Sequence, residues 1–228
     1  MFIKNYYGRI FNININLNEE ILKEYIIDDF NINDNNIIAC ELEKRLFGYN
    51  EADLEIGSGN GKFIVELAIN NKEKYFLGIE YSYKAAKKTV LKAYKRNIKN
   101  LTIIFGEANS VMEKYLINKY KFDNIYLNFP DPWQKKKHSH RRIFNKEFLN
   151  KIYFLLKDNG VFYSATDDDN YALNIMNPIY KESKIFKNVL EKEYTEKIEN
   201  YGITLYEEKM RAAGRNIYFF AHKKNDII

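Results

Sequence analysis

With 228 residues, 46% of them hydrophobic and 16% aromatic, the chain has material for one sizeable core and is expected to fold as a single domain. A net charge of +5 permits a polyanionic partner without demanding one, and the single cysteine, Cys40, excludes an internal disulfide framework and a cysteine-built zinc site. No apolar run of about 18 residues and no charged-then-apolar leader occurs, so neither a membrane span nor a signal peptide is expected, and the cytoplasm is the expected compartment.

Residues 1–51 are Asn-rich, with helices expected at 19–27 and 37–47. They read as an N-terminal extension packed on, or ordered with, a domain spanning 52–228. From Ala52 the pattern becomes regular. Strands are expected at 53–56, 75–79, 101–105, 122–129 and 160–165, with helices at 63–69, 82–97, 110–116, 145–156 and 171–181. This alternation predicts βαβ units and a largely parallel sheet. Asn159-Gly160 reads as the stop of the helix before the fifth strand. Two consecutive strands at 186–190 and 216–222 predict an antiparallel edge on a sheet of seven strands.

Asp53-Leu-Glu-Ile-Gly-Ser-Gly-Asn-Gly61 lies between the first regular strand and its helix, where doubly wound sheets bind ligands. Gly57, Gly59 and Gly61 permit a tight turn and close approach of backbone to ligand. Glu80 closes the following strand, where its carboxylate can accept from ribose hydroxyls. The glycines read G-x-G-x-G, not the dinucleotide G-x-G-x-x-G, and Glu55 stands just ahead of them. An acid there repels a pyrophosphate and favours the ammonium of an amino-acid-bearing nucleoside, so S-adenosylmethionine fits better than NAD. At the end of the next strand, Glu107 followed by Ala108 suits an adenine edge.

Asn128-Phe-Pro-Asp-Pro-Trp133 falls at the carboxyl end of the fourth strand, and Pro130 and Pro132 restrict the backbone on both sides of Asp131, holding its carboxylate in place. Trp133 either packs this turn or touches a substrate base. Lys135, Lys136, Lys137, Arg141 and Arg142, interleaved with His138 and His140, then concentrate positive charge suited to phosphates. Alone, such a run is an ordinary solvated face; beside a nucleoside pocket it favours RNA. The His-x-His pair lacks further ligands at metal spacing, so no metal is expected. Lys84, Lys87, Lys88, Lys92 and Lys95 recur at helical spacing, as a solvated face or an extension of the RNA footprint.

Taken together, Glu55-Ile-Gly-Ser-Gly-Asn-Gly61, Asn128-Phe-Pro-Asp-Pro-Trp133 and residues 135–142 resemble the bacterial tRNA (guanine-N7-)-methyltransferase family, over residues 53–218. Ala165-Thr-Asp167, and Thr204-Leu-Tyr-Glu-Glu-Lys209 with Gly214, agree with it. The resemblance implies an α/β, Rossmann-like class I S-adenosylmethionine-dependent methyltransferase. Its substrate would be a variable-loop guanine of tRNA, and it would act as a monomer or homodimer without an obligatory protein partner. It implies cofactor contacts at Glu55, Glu80, Glu107 and Asp131, with Asp131 the catalytic residue. Substrate contacts are implied at Lys135, Asp167, Thr204, Tyr206 and Glu207, with Arg141 and Arg142 gripping RNA backbone. Two positions depart from the family: it usually has Asp where Glu107 stands, and often Lys where His140 stands. A methyltransferase acting on another nucleophile, or an RNA-binding protein that keeps the fold without catalysis, are the alternatives.

Overall fold

The structure is a computed structural model that describes residues 2–4, 10–12, 17–32 and 34–225. Strands β1 (Phe2–Lys4) and β2 (Ile10–Asn12) pair antiparallel. Helix α1 (Glu19–Tyr25) begins at Asn18, whose side chain accepts from the Ile21 N–H at 2.9 Å, and runs directly into β3 (Ile26–Asp28), followed by α2 (Asn35–Leu46). A regular alternation follows: β4 (Ala52–Ile56), α3 (Lys62–Asn70), β5 (Tyr75–Glu80), α4 (Tyr83–Lys95), β6 (Leu101–Phe105), α5 (Ala108–Val111), β7 (Phe122–Asn128), α6 (Lys146–Leu155) and β8 (Leu156–Thr166). Helices α7 (Asp169–Tyr171) and α8 (Asn177–Ser183), joined by a π-helical turn at Ala172–Met176, lead to β9 (Phe186–Asn188), α9 (Leu205–Ala212) and β10 (Tyr218–Lys224).

Strands β3 to β10 form one sheet in the order β3-β6-β5-β4-β7-β8-β10-β9. Pairing is parallel from β3 to β8, while β10 runs antiparallel to both β8 and β9. The expected parallel sheet with its antiparallel edge is therefore present, with eight strands in place of seven. The extra one is β3, where residues expected to finish a helix leave it to pair with β6, Ile26 opposite Ile103. Two adjacent β-branched residues gain more from this edge than from another helical turn, because Ile26 and Ile27 both become buried.

Asn159-Gly160 does not stop a helix. α6 ends at Leu155 and β8 starts at once, so Gly160 lies inside a strand, next to a register irregularity opposite Phe122 and Asn124 of β7. A Cβ at Gly160 would come within 2.6 Å of the Asp123 carbonyl oxygen, so the glycine marks a close backbone approach. Helix α9 carries a different signal, the Thr204-x-x-Glu207 spacing of a helix start, realised by the Glu207 N–H donating to Thr204 Oγ1 at 2.9 Å.

The chain steps outward from β4 through β5 and β6, then returns to place β7 on the other flank of β4. Strand order reverses there, so the carboxyl ends of β4 and β7 border the crevice in which sheets of this kind take ligands. Fully buried Leu54, Leu77, Ile125 and Phe162 carry the core through the neighbouring strands and fix the height of that crevice.

Candidate active site

Beyond β4 the chain turns through Gly57, Gly59 and Gly61, with left-handed φ values of 77°, 55° and 73°. A Cβ at Gly57 or Gly59 would meet nothing within 4 Å, so these two face open space. At Gly61 it would lie 2.3 Å from Thr89 Oγ1, so the third glycine lets the start of α3 pack on α4. Glu80 ties the turn down: its Oε2 accepts from the Gly59 N–H and its Oε1 from the Ser82 N–H, both at 2.7 Å. Each carboxylate oxygen keeps a further lone pair for a ligand.

Glu55 is only 2% exposed. Its Oε1 accepts from Asn128 Nδ2 at 3.3 Å, while Oε2 is buried without a hydrogen-bond partner. Burial pushes the carboxyl pKa up to about 8; the Asn128 hydrogen bond opposes the rise and the charge of Glu80 adds to it. A cationic amine at Oε2 would supply both the missing donor and the missing charge.

Glu55, Gly57, Gly59, Thr204 and Tyr206 line a cavity of about 220 Å³. It adjoins a second of about 290 Å³, lined among others by Glu80, Ala108, Asp131, Trp133 and Arg141, and the two share Gly57, Asn128 and Phe129. These residues fit S-adenosylmethionine: Glu55 would hold the ammonium, Glu80 the ribose and Ala108 the adenine side. Glu107 is engaged at the start of α5. Its oxygens accept from the N–H groups of Asn109 and Ser110, at 3.0 and 2.8 Å, capping α5, and the cavity wall at that level is Gly106 and Ala108.

The loop after β7 is stiff for more reasons than its prolines. Phe129 and Trp133 flank it with φ of 53° and 40°, a conformation that non-glycine residues adopt only under constraint. Asp131 Oδ1 accepts from the Trp133 N–H at 3.0 Å, and its carboxylate stands at the cavity rim. Arg142 turns inward and donates from Nε to the Pro132 carbonyl at 2.9 Å and from an Nη to the Trp133 carbonyl at 3.1 Å. Trp133 packs beneath the Arg141 guanidinium, 5.0 Å from its ring centre, and lines the cavity, so it serves the turn and the pocket wall together.

The basic residues thus divide. Lys135, Lys137 and Arg141 are exposed at the start of and along the 3₁₀ helix of residues 136–141, whereas Arg142 is committed to the loop; the side chain of Lys136 lies outside the described residues. Asp167 is buried in an ion pair with Arg215 at 3.1 Å and accepts from the Tyr206 hydroxyl at 3.3 Å. Thr204 and Tyr206 line the same cavity as Glu55, but Glu207 does not. Its Oε1 accepts from Arg211 at 2.8 Å and it borders a separate cavity of about 710 Å³. Arg215 and Tyr201 escaped notice in the sequence, the latter as one of 19 tyrosines with no distinguishing spacing. Among the described residues, no group of three or more His, Cys, Asp or Glu could hold a metal ion.

Sheet order, glycine turn and the two strand-end acids define a class I S-adenosylmethionine-dependent methyltransferase. A family model described as "Putative methyltransferase" matches residues 50–220, and the fold is similar to that of the 16S rRNA methyltransferase KamB, with a TM-score of 0.58 at 14% identity over 82% of this chain and 93% of that one. The tRNA (guanine-N(7)-)-methyltransferase of Chlamydia abortus is 33% identical over 165 residues, 72% of each chain. The enzyme of the same name from Ureaplasma urealyticum is 36% identical over 159 residues, 70% of this chain and 68% of its own. The chain belongs to the bacterial tRNA (guanine-N7-)-methyltransferase family.

Proposed function

We propose that this protein methylates N7 of a variable-loop guanine in tRNA, giving 7-methylguanosine, and that it does so in the cytoplasm as a monomer or homodimer without an obligatory protein partner. S-adenosylmethionine supplies an electrophilic methyl group on a sulfonium. Guanine N7 offers an in-plane lone pair, so no residue has to remove a proton, and the task of the chain is alignment. Orientation of this kind contributes roughly 7 to 11 kcal/mol in favourable cases.

Glu55 and Glu80 position the cofactor from beneath, and Asp131 faces the reacting base from the rim. As the base becomes cationic, a carboxylate already held by the Trp133 N–H stabilises the new charge without having to reorganise. Asp167, hydrogen bonded to Tyr206 beside the cleft, accepts from the guanine N1 and N2 donors, a pattern adenine lacks. Lys135 and Arg141 draw in RNA backbone, in keeping with recognition by shape and phosphate.

The observation that carries this reading is the orphaned Oε2 of Glu55 at the floor of the cleft that Asp131 overlooks. The test is to incubate the protein with methyl-labelled cofactor and an unmodified tRNA transcript, digest the RNA and separate the nucleosides. Label in 7-methylguanosine is expected; label in any other nucleoside, or none, would overturn the assignment.

A further inference from the structure

Tyr201 lies in no predicted motif, yet its hydroxyl donates to Asn128 Oδ1 at 2.7 Å, and the other end of that amide donates to Glu55 at 3.3 Å. An asparagine amide has one acceptor and one donor end, and a phenol hydroxyl can serve either, donating to the oxygen or accepting from the nitrogen. The ionised carboxylate only accepts, so it draws Nδ2, and the tyrosine holds the amide in that orientation by donating to Oδ1. With the carboxylate ionised, as a bound ammonium favours, the reverse orientation would set the amide oxygen against a carboxylate oxygen at the same separation, two acceptors facing each other.

The tyrosine is itself fixed. Its ring packs against Phe63, Tyr126, Tyr163 and Phe219, with centroids 5.0, 5.7, 5.3 and 5.2 Å away. Asn200 and Gly202 on either side hold left-handed φ of 57° and 63°, so the backbone is bent to deliver the ring. Burial raises the hydroxyl well above its ordinary pKa, and it stays a donor through the neutral range.

We infer that Tyr201 is a positioning residue for cofactor binding: through Asn128 it orients the Glu55 carboxylate, spending Oε1 on the amide and leaving Oε2 for the cofactor ammonium. This rests on the methyltransferase reading above. It also gives a role to Asn128, the first residue of the Asn-Phe-Pro-Asp-Pro-Trp stretch, as the link between the substrate loop and the cofactor floor.

The test is Tyr201→Phe in the full chain, with S-adenosylhomocysteine as the binding probe in calorimetry and steady-state kinetics alongside. Loss of one buried hydrogen bond predicts a Kd for S-adenosylhomocysteine and a KM for S-adenosylmethionine raised about 3- to 10-fold, with kcat at saturation and KM for tRNA unchanged. In an Asn128→Ser background the same substitution is expected to have no further effect on Kd, because the relay is already broken. An unchanged Kd in Tyr201→Phe, a fall in kcat at constant KM, or full additivity with Asn128→Ser would overturn the inference while leaving the parent function intact. If the unsubstituted protein bound no S-adenosylhomocysteine and transferred no methyl group, both would fall.

Discussion

Glu55 and Glu80 sit under the carboxyl edge of the sheet, almost wholly buried, while Lys135, Lys137 and Arg141 are exposed along the segment that follows Trp133. The acids are held by groups that folding of the sheet itself delivers: the Gly59 and Ser82 N–H groups and the Asn128 amide. The exposed bases have no comparable anchoring. Buried, hydrogen-bonded charges act at short range and are little screened, whereas exposed charges separated by more than a Debye length of about 8 Å are largely screened at physiological salt. Cofactor affinity is therefore expected to respond to single buried groups, and RNA affinity to ionic strength.

Asp131 stands where the two regions meet, and its removal gives the largest expected effect. Asp131→Ala should lower the single-turnover rate of methyl transfer by about 10² to 10³, in the range found for loss of one preorganised electrostatic contact, with tRNA affinity at fixed salt unchanged. Equal loss of rate and RNA affinity would erase the division between the two regions. Arg142 comes next. Because its guanidinium is spent on the Pro132 and Trp133 carbonyls, Arg142→Ala should slow transfer by about 10- to 100-fold through misplacement of the loop. The salt dependence of RNA binding should stay as it was. A changed salt slope would return Arg142 to the RNA-facing group.

These contrasts also mark what could be read before the fold was known. The glycine turn and its two acids were legible because they sit in local spacing: glycines after a strand, an acid before them, another acid at the end of the next strand. The basic run was legible as charge but not as direction. Arg141 and Arg142 are neighbours in sequence, and only the path of the loop turns one outward and the other in. Glu207 shows the same limit, since the spacing that begins α9 places Thr204 and Tyr206 on the cavity that Glu55 lines and Glu207 on the next one. Glu107 follows a strand end too, and there its carboxylate also caps α5, a local hydrogen bond that strand-end spacing does not reveal. The Tyr201 to Asn128 to Glu55 relay joins residues 73 positions apart at each step, so it had no local trace at all.

The pH dependence sharpens the comparison from the cofactor side. With its pKa raised from an ordinary 4.5 to about 8, Glu55 is largely protonated in the ligand-free protein at neutral pH, and a bound ammonium favours the ionised form. Affinity for S-adenosylhomocysteine should rise with pH up to about 8, by at most about tenfold per unit, with a proton released on binding. Stability moves the other way. Between 4.5 and about 8 the folded state holds a proton the unfolded chain has given up, so this group makes the ligand-free protein less stable as pH rises through that window. Calorimetry in buffers of different ionisation enthalpy, with melting curves across the same range, checks both; Glu55→Gln should flatten both. A flat wild-type profile would mean that Glu55 is not the ammonium's partner.

The smallest expected effect lies on the exposed side and separates it most cleanly from the rest. Lys135→Ala should weaken tRNA binding only a few-fold at physiological salt, but should reduce the slope of log affinity against log salt by about 0.7 to 0.9, the signature of one lost phosphate contact. S-adenosylhomocysteine affinity should not move, because no buried group is touched. The same measurement decides the face of α4, where Lys84 and Lys88 are exposed. If those lysines touch phosphate, their alanine variants will each flatten the slope as Lys135→Ala does; an unchanged slope would confine the RNA footprint to the turn beyond Trp133.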